Sequence, residues 1–365
     1  MLLPVFTIYA GQLTDSTPTL IGVALGAYGL SQGLLQIPFG LLSDRLGRKP
    51  MLTMGLVLFA LGSLLGAETH SIFGMIIART LQGTGAIGSV LIALLSDLTS
   101  EKERTKSMAV IGMTIALSFG LAMVISPAIT HPFGLAGIFY FTVGLALGGL
   151  LIVHTLIPTP KVERYHAETE ANPSLIKTVL KDLHLQRFNA SIFFQHSLFT
   201  STFFVMPLLL KQQIQLNQLG QAWHFYLPVM IISFLLMFPL ILISEKKNKI
   251  RSLFLIAIFT TFITQLGLIF TYEQWPLLCC LMLLYLIAFN FLEATLPSLI
   301  SKQAKATMRG TALGVYSCSQ FFGIFVGGTL AGIIYTLGGS SAIFSFNSVI
   351  ALLWLMLVWP IKIAR

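Results

Sequence analysis

Charge is what this chain has least of. Only 10% of its 365 residues are charged, 13 acidic against 22 basic, too few to coat a water-exposed surface of that size. Cysteine is scarcer still. Cys279, Cys280 and Cys318 all lie in apolar runs and two are adjacent, which excludes a disulfide framework and offers no metal-ligand spacing; they read as small packing residues. No GxxxxGK[ST] loop occurs, so nothing in the chain supports a nucleotide-driven pump. Nucleophile elbow, HExxH and cofactor motifs are missing too, and no cofactor is expected. What the chain does have is hydrophobicity: 55% apolar residues, 28 of them Phe, and a mean hydropathy of +0.86. These values define an integral membrane protein. The positive excess is then a signal of topology rather than of nucleic-acid binding.

Apolar runs predict an all-α protein with full spans at about 18–42, 51–67, 71–96, 106–130, 134–157, 188–210, 221–244, 252–271, 275–300, 310–336 and 341–361. Ahead of these eleven lies MLLPVFTIYAGQL. At 1.5 Å per residue it reaches about 20 Å, short of a core of roughly 30 Å, and it reads as the second half of a truncated first helix. No basic n-region or A-x-A site marks it as a signal peptide. With that half-helix counted as the first of twelve, the breaks alternate between two faces. Twenty of the 22 basic residues then fall on one face, leaving Lys211 on the other and Arg79 inside a span. The positive-inside rule places that face, and both ends of a full-length chain, in the cytoplasm, as expected for a bacterial inner membrane.

The longest break, 158–187, divides the chain into halves 1–157 and 188–365. It holds Pro158, Pro160 and Pro173, then NPSLIKTVLKDLHLQ, in which Leu175, Ile176, Val179, Leu180 and Leu183 share one helical face. This predicts an amphipathic helix on the cytoplasmic surface. The halves echo each other: SDLTSEKERTKSMAVIG at Ser96 to Gly112 and SKQAKATMRGTALG at Ser301 to Gly314 are both basic breaks leading into a small-residue helix start. Such duplication suits a transporter built of two bundles around a cavity.

Gly40-Leu41-Leu42-Ser43-Asp44-Arg45-Leu46-Gly47-Arg48-Lys49 joins two spans through a loop in which glycine permits a tight turn and charges face a protein-lined interface. This segment closely resembles the G-x-L-a-D-r-x-G-r-K motif of the major facilitator superfamily. Arg79-Thr80-Leu81-Gln82-Gly83-Thr84-Gly85 looks like the R-x-x-Q-G-x-G motif of the same superfamily. IPFGLLSDRLGRKP, LLSDLTSEKERTKSMA, FNFLEATLPSLISK and GTALGVYSCSQFFG together resemble its YajR-type, efflux-like branch over essentially the whole chain. The resemblance implies two six-helix bundles of the major facilitator fold. It also implies a conformational-switch cluster of Gly40, Asp44, Arg45, Gly47, Arg48, Lys49 and Asp97, with the positive end of span eleven approaching Asp44. One departure concerns solute class: where drug antiporters show G-P-x-x-G-G, span five reads Ser126-Pro127-Ala128-Ile129-Thr130.

Glu293 is the one carboxylate deep within a span. Burial favours its neutral form, so it is a candidate for loading and releasing protons; it reads equally as a packing residue or as a partner of Lys302. Asn290 shares its helix face. His196, beside Gln195, can titrate near neutrality or act as an interhelical donor. Arg79, about two turns inside a span, is costly unless it faces water or a partner, or snorkels outward. The candidates for proton coupling are Glu293, Arg79 and His196. The candidates for the solute cavity are Tyr28, Gln32, Gln36, Gln82, Asn290, Tyr316 and Gln320, residue types that more often serve as helix glue or interfacial aromatics. The expected function is proton-coupled efflux of a small organic solute by a monomer in the lipid bilayer; uptake by symport, a non-transporting receptor and a membrane enzyme are the alternatives.

Overall fold

The computed structural model describes residues 2–99, 101–160, 168–246 and 249–361, and their ordered backbone is nearly all helix. Basic residues Lys161, Arg164, Lys247, Lys362 and Arg365, which contribute to the sidedness argument, lie outside the described residues. In chain order the helices are α1 (Phe6–Ala10), α2 (Pro18–Leu46), α3 (Arg48–Glu68), α4 (Ile72–Thr84), α5 (Gly88–Leu98), α6 (Glu101–Thr155), α7 (Pro173–Lys181), α8 (Leu183–Gln215), α9 (Trp223–Lys246), α10 (Ile250–Thr271), α11 (Trp275–Gln303) and α12 (Arg309–Val358). Among the described residues, nine helical runs are long and apolar enough to cross a membrane. Two of them are double, because α6 turns at Gly134 (φ 62°) and α12 at Gly338 and Gly339 (φ 63°). Glycine is required at the positive φ angles, where a Cβ is strained. Split at those turns, the nine runs give eleven apolar helical stretches long enough to cross among the described residues, the number the sequence predicts.

Three local expectations are corrected. The run 71–96 is not one helix: α4 ends at Thr84 and α5 begins at Gly88, because Gly83, Gly85 and Gly88 weaken helix propensity where the backbone of Gly55 presses on Gly85. The amphipathic segment forms only the nine residues of α7. Asn172 caps its start and Asp182 caps α8 instead, since an acceptor side chain at that position ends one helix and opens the next. Val179 is buried, with Leu175 and Ile176 packed around it, while Leu180 and Leu183 are exposed. The initial half-helix is helical only over Phe6–Ala10; Tyr226 donates to the Pro4 carbonyl at 3.3 Å and Tyr9 to the Thr130 carbonyl at 2.9 Å.

Packing is closest where α2 meets α12. An added Cβ at Gly29 would fall 2.6 Å from the Phe321 carbonyl and one at Gly26 2.7 Å from that of Phe325, while Gly22 meets the backbone of Gly328 and Gly332. The other face of α12 is just as tight, with Gly323 against the Phe193 carbonyl and Gly327 against that of Ser197 in α8. Small residues let helices approach backbone to backbone, which is how helices associate where lipid removes the hydrophobic drive. A second adhesive is polar. Asn347 donates to Thr202 Oγ1 (3.2 Å) and Gln265 Oε1 (3.1 Å) and accepts from Ser201 (2.6 Å), tying α8, α10 and α12 together.

Candidate functional site

The loop between α2 and α3 builds a charge cluster around Arg48, which is 1% exposed. Gly47 turns the chain at φ 93°, ends α2 and starts α3, so Arg48 falls in the first turn of α3 and reaches back over the loop. Its Nε donates to Asp97 (3.0 Å), Nη1 to Asp44 and to Ser43 Oγ (2.7 Å), and Nη2 to Glu170 (2.9 Å). The Asp97 side chain is 1% exposed and that of Asp44 30%. Lys49 donates to the Ile157 carbonyl at the end of the first half (2.5 Å). Arg45 is exposed, and Gly40 lets Ser89 of α5 approach.

Glu170 is the residue that sequence reasoning missed. Segment 168–172 folds between the loop and the start of α12: Gly310 abuts the Glu170 backbone, Thr311 Oγ1 accepts from the Asn172 amide at 2.9 Å, Ser96 donates to Thr169 (3.1 Å), and Arg309 pairs with Glu168 (3.0 Å). The start of α12 therefore meets this segment rather than Asp44 alone. Asp44, Glu170, Gln36 and Gly310 line a cavity of about 60 Å³ between the two halves. Burial pushes the Glu170 carboxyl up to about 7, with Asp44 adding to the rise and Arg48 opposing it.

Inside the membrane-spanning region, two polar groups face each other across the α2–α12 seam. On one side Arg79 is buried, and its guanidinium lies 4.7 Å from the centre of the Tyr28 ring, a cation–π distance. Arg79 donates to Gln82 (2.7 Å), which donates to Ser63 (2.7 Å). These contacts offset part of the cost of burial, Nε has no hydrogen-bond partner among the described residues, and Arg79 does not snorkel. Gln32 follows Tyr28 by one turn, with Oε1 buried and without a hydrogen-bond partner among the described residues. On the other side Glu293 Oε2 accepts from Gln195 (3.0 Å) and lies 3.0 Å from His196 Nε2, while Oε1 accepts from Gln320 (3.3 Å). Gln320 Nε2 is also 2.8 Å from His196 Nε2. The Glu293 side chain stays 39% exposed. Among the described residues it makes no ion pair with Lys302. Asn290 turns away to Ser233 (2.9 Å), and the Tyr316 hydroxyl is buried without a hydrogen-bond partner among the described residues. The structure thus joins Glu293, His196 and Gln320 from α11, α8 and α12, and joins Arg79, Tyr28 and Gln82 from α4 and α2. Gln36 and Asn290 belong to neither group.

An all-helical chain closed by a small-residue seam, with its motif residues gathered around Arg48 and Arg79, defines a membrane transporter fold, and the known proteins it resembles agree. The family model described as Major Facilitator Superfamily matches residues 1–304 and 249–363, and the chain belongs to that superfamily. It is 39% identical over 369 residues to the inner membrane transport protein YajR of Escherichia coli K12, covering 99% of this chain and 79% of that one. Over 199 residues it is 28% identical to a class H tetracycline resistance protein of Pasteurella multocida, covering 53% and 47%. Its fold matches the xylose transporter XylE of E. coli, solved in a partially occluded inward-open conformation, with a TM-score of 0.71 at 17% identity over 98% of this chain and 90% of that one. The protein is a multi-pass integral membrane transporter.

Proposed function

We propose that the chain expels a small organic solute in exchange for protons by alternating access, with Glu293 as the coupling carboxylate. The observation that carries this reading is the Glu293 cluster: a carboxylate inside a span, 39% exposed, within hydrogen-bond reach of His196, Gln195 and Gln320 on two other helices. A carboxylate that is wet in one state and enclosed in another has its charged form favoured in only one of them, which is the linkage that proton coupling needs. Arg79 sets the field from the opposite side of the seam. Tyr28, Gln32, Gln82, Tyr316 and Gln320 border the path of the solute, and the Asp44, Arg48 and Asp97 cluster clasps the basic face shut. The similarity to a tetracycline resistance protein supports efflux. In this reading residues 1–157 and 188–365 are the moving halves and 158–187 links them. The chain is a monomer in a bacterial inner membrane, and its basic face is cytoplasmic.

Reconstituted protein with a pH reporter in the vesicle lumen tests the proposal, with tetracycline as the probe. Wild type should release lumenal protons when the probe is added, and Glu293→Gln should not, while still exchanging labelled probe. Proton release unchanged in Glu293→Gln, or absent from wild type, defeats the reading.

A further inference from the structure

Gln320 stands where the proton cluster meets the seam between the halves. His196 Nε2 has two close neighbours, Glu293 Oε2 at 3.0 Å and Gln320 Nε2 at 2.8 Å. An imidazole nitrogen carries either one hydrogen or one lone pair, so it serves one neighbour at a time. With a hydrogen it donates to Glu293, and the amide of Gln320 then faces another donor. With a lone pair it accepts from Gln320, and it then faces the carboxylate acceptor to acceptor unless Glu293 holds the proton. Loading a proton therefore changes what Gln320 can bond to.

Gln320 belongs to a helix with no slack. Phe321, the next residue, brings its carbonyl against Gly29 and its Cβ against Gly33 of α2, and its ring against Tyr28, edge to face at 6.5 Å. Gly323 and Gly327 press the opposite face of α12 onto carbonyls of α8, in the same stretch that holds His196. With backbone in contact on both faces, no flexible side chain absorbs a displacement of α12, and tightly packed interfaces switch between discrete arrangements rather than deform.

We infer that Gln320 is a positioning residue that passes the protonation state of the Glu293–His196 pair to the α2–α12 seam, and so to the opposite half. This rests on the reading of Glu293 as the coupling group. Of the packed elements, α8 presents His196 to Glu293 and α12 presents Tyr316; among the described residues no other titratable or charged side chain makes a hydrogen bond or ion pair with it. Arg79 lies across the seam, behind Tyr28.

The test needs no known solute. Spin labels at Lys106→Cys and Leu242→Cys, both exposed, report the separation of the halves in a chain whose native cysteines are replaced by serine and whose Glu170 is replaced by Gln. Distances are recorded from about pH 5 to about pH 9, alongside the His196 titration by NMR. The labels should move with pH in this background and stay fixed in Glu293→Gln. In Gln320→Leu they should also stay fixed, although His196 still titrates; Gln320→Met serves if the Leu variant does not fold. Movement retained in Gln320→Leu or Gln320→Met, even with lowered thermal stability, overturns the role of Gln320 while leaving Glu293 as the coupling group. Movement retained in Glu293→Gln overturns the coupling reading itself.

Discussion

Arg48 Nε lies 3.0 Å from Asp97 Oδ2, and both side chains are 1% exposed. The two residues are 49 positions apart in sequence, and the same guanidinium also holds Asp44 and Glu170. One cation thus answers three carboxylates from α2, α5 and the linking segment.

Removing that cation should cost far more than removing one anion. Arg48→Ala leaves Asp97 and Glu170 buried without it, a loss of about 3–5 kcal/mol by analogy with broken buried pairs. Asp44 is 30% exposed, so Asp44→Asn should cost about 1 kcal/mol or less. Both should shift label distances toward opening on the basic face. Thermal unfolding in detergent ranks the two variants; equal and small losses would contradict the arrangement.

Glu170 makes stability depend on pH in a set direction. The folded chain keeps this proton up to about 7, whereas a free glutamate releases it near 4.5. Between those values the folded state binds more protons than the unfolded one, so stability falls as pH rises across the window and levels off above it. The melting temperature of wild type minus that of Glu170→Gln should therefore drop between pH 4.5 and 7. A difference that rises or stays flat argues against the burial effect.

Glycines at the seam and glycines facing lipid should respond oppositely to alanine. Gly26→Ala drives a methyl into the Phe325 carbonyl, 2.7 Å away, and backbone cannot step aside. Gly144, by contrast, has nothing within 4 Å of its would-be Cβ, and alanine there should gain up to about 1 kcal/mol of helix propensity. Expression, monodispersity and melting temperature should fall in the first variant and hold or rise in the second. Tolerance of Gly26→Ala with full transport would mean that the helices are not in backbone contact.

The Asn347 network should be stiff but modest in energy. Asn347→Leu removes three hydrogen bonds, to Gln265 Oε1, Thr202 Oγ1 and Ser201 Oγ, in a buried region, and hydrogen bonds between membrane helices are worth about 0.6–2 kcal/mol each. A loss on the order of 1–4 kcal/mol is expected. A double-mutant cycle with Gln265→Leu checks it, since residues sharing a network should be strongly non-additive.

Span positions were legible because lipid demands long apolar helices whatever the packing. The break between α4 and α5 was not, although the density of Gly83, Gly85 and Gly88 was a usable signal. The residues of the Asp44, Arg48 and Asp97 cluster could be listed from the motif, but Glu170 sits in a proline-bounded stretch with no periodicity to show that it folds back onto Arg48. Glu293 and His196 were each conspicuous as polar groups in apolar runs. Their contact was not, since 97 residues separate them and only tertiary packing brings them within 3.0 Å. Asn290 misled for the opposite reason: sharing a helix face with Glu293 puts two side chains on one surface, yet its neighbour there is Ser233.

The turns at Gly134 and at Gly338–Gly339 reverse the chain within one or two residues. Few peptide bonds are therefore laid bare at those corners, and a protease needs several extended residues to bind its target. Digestion of the reconstituted protein should spare the chain at both turns, and a short epitope inserted there would have to unravel a helix end to be seen by an antibody. Those two corners are armoured by their own brevity.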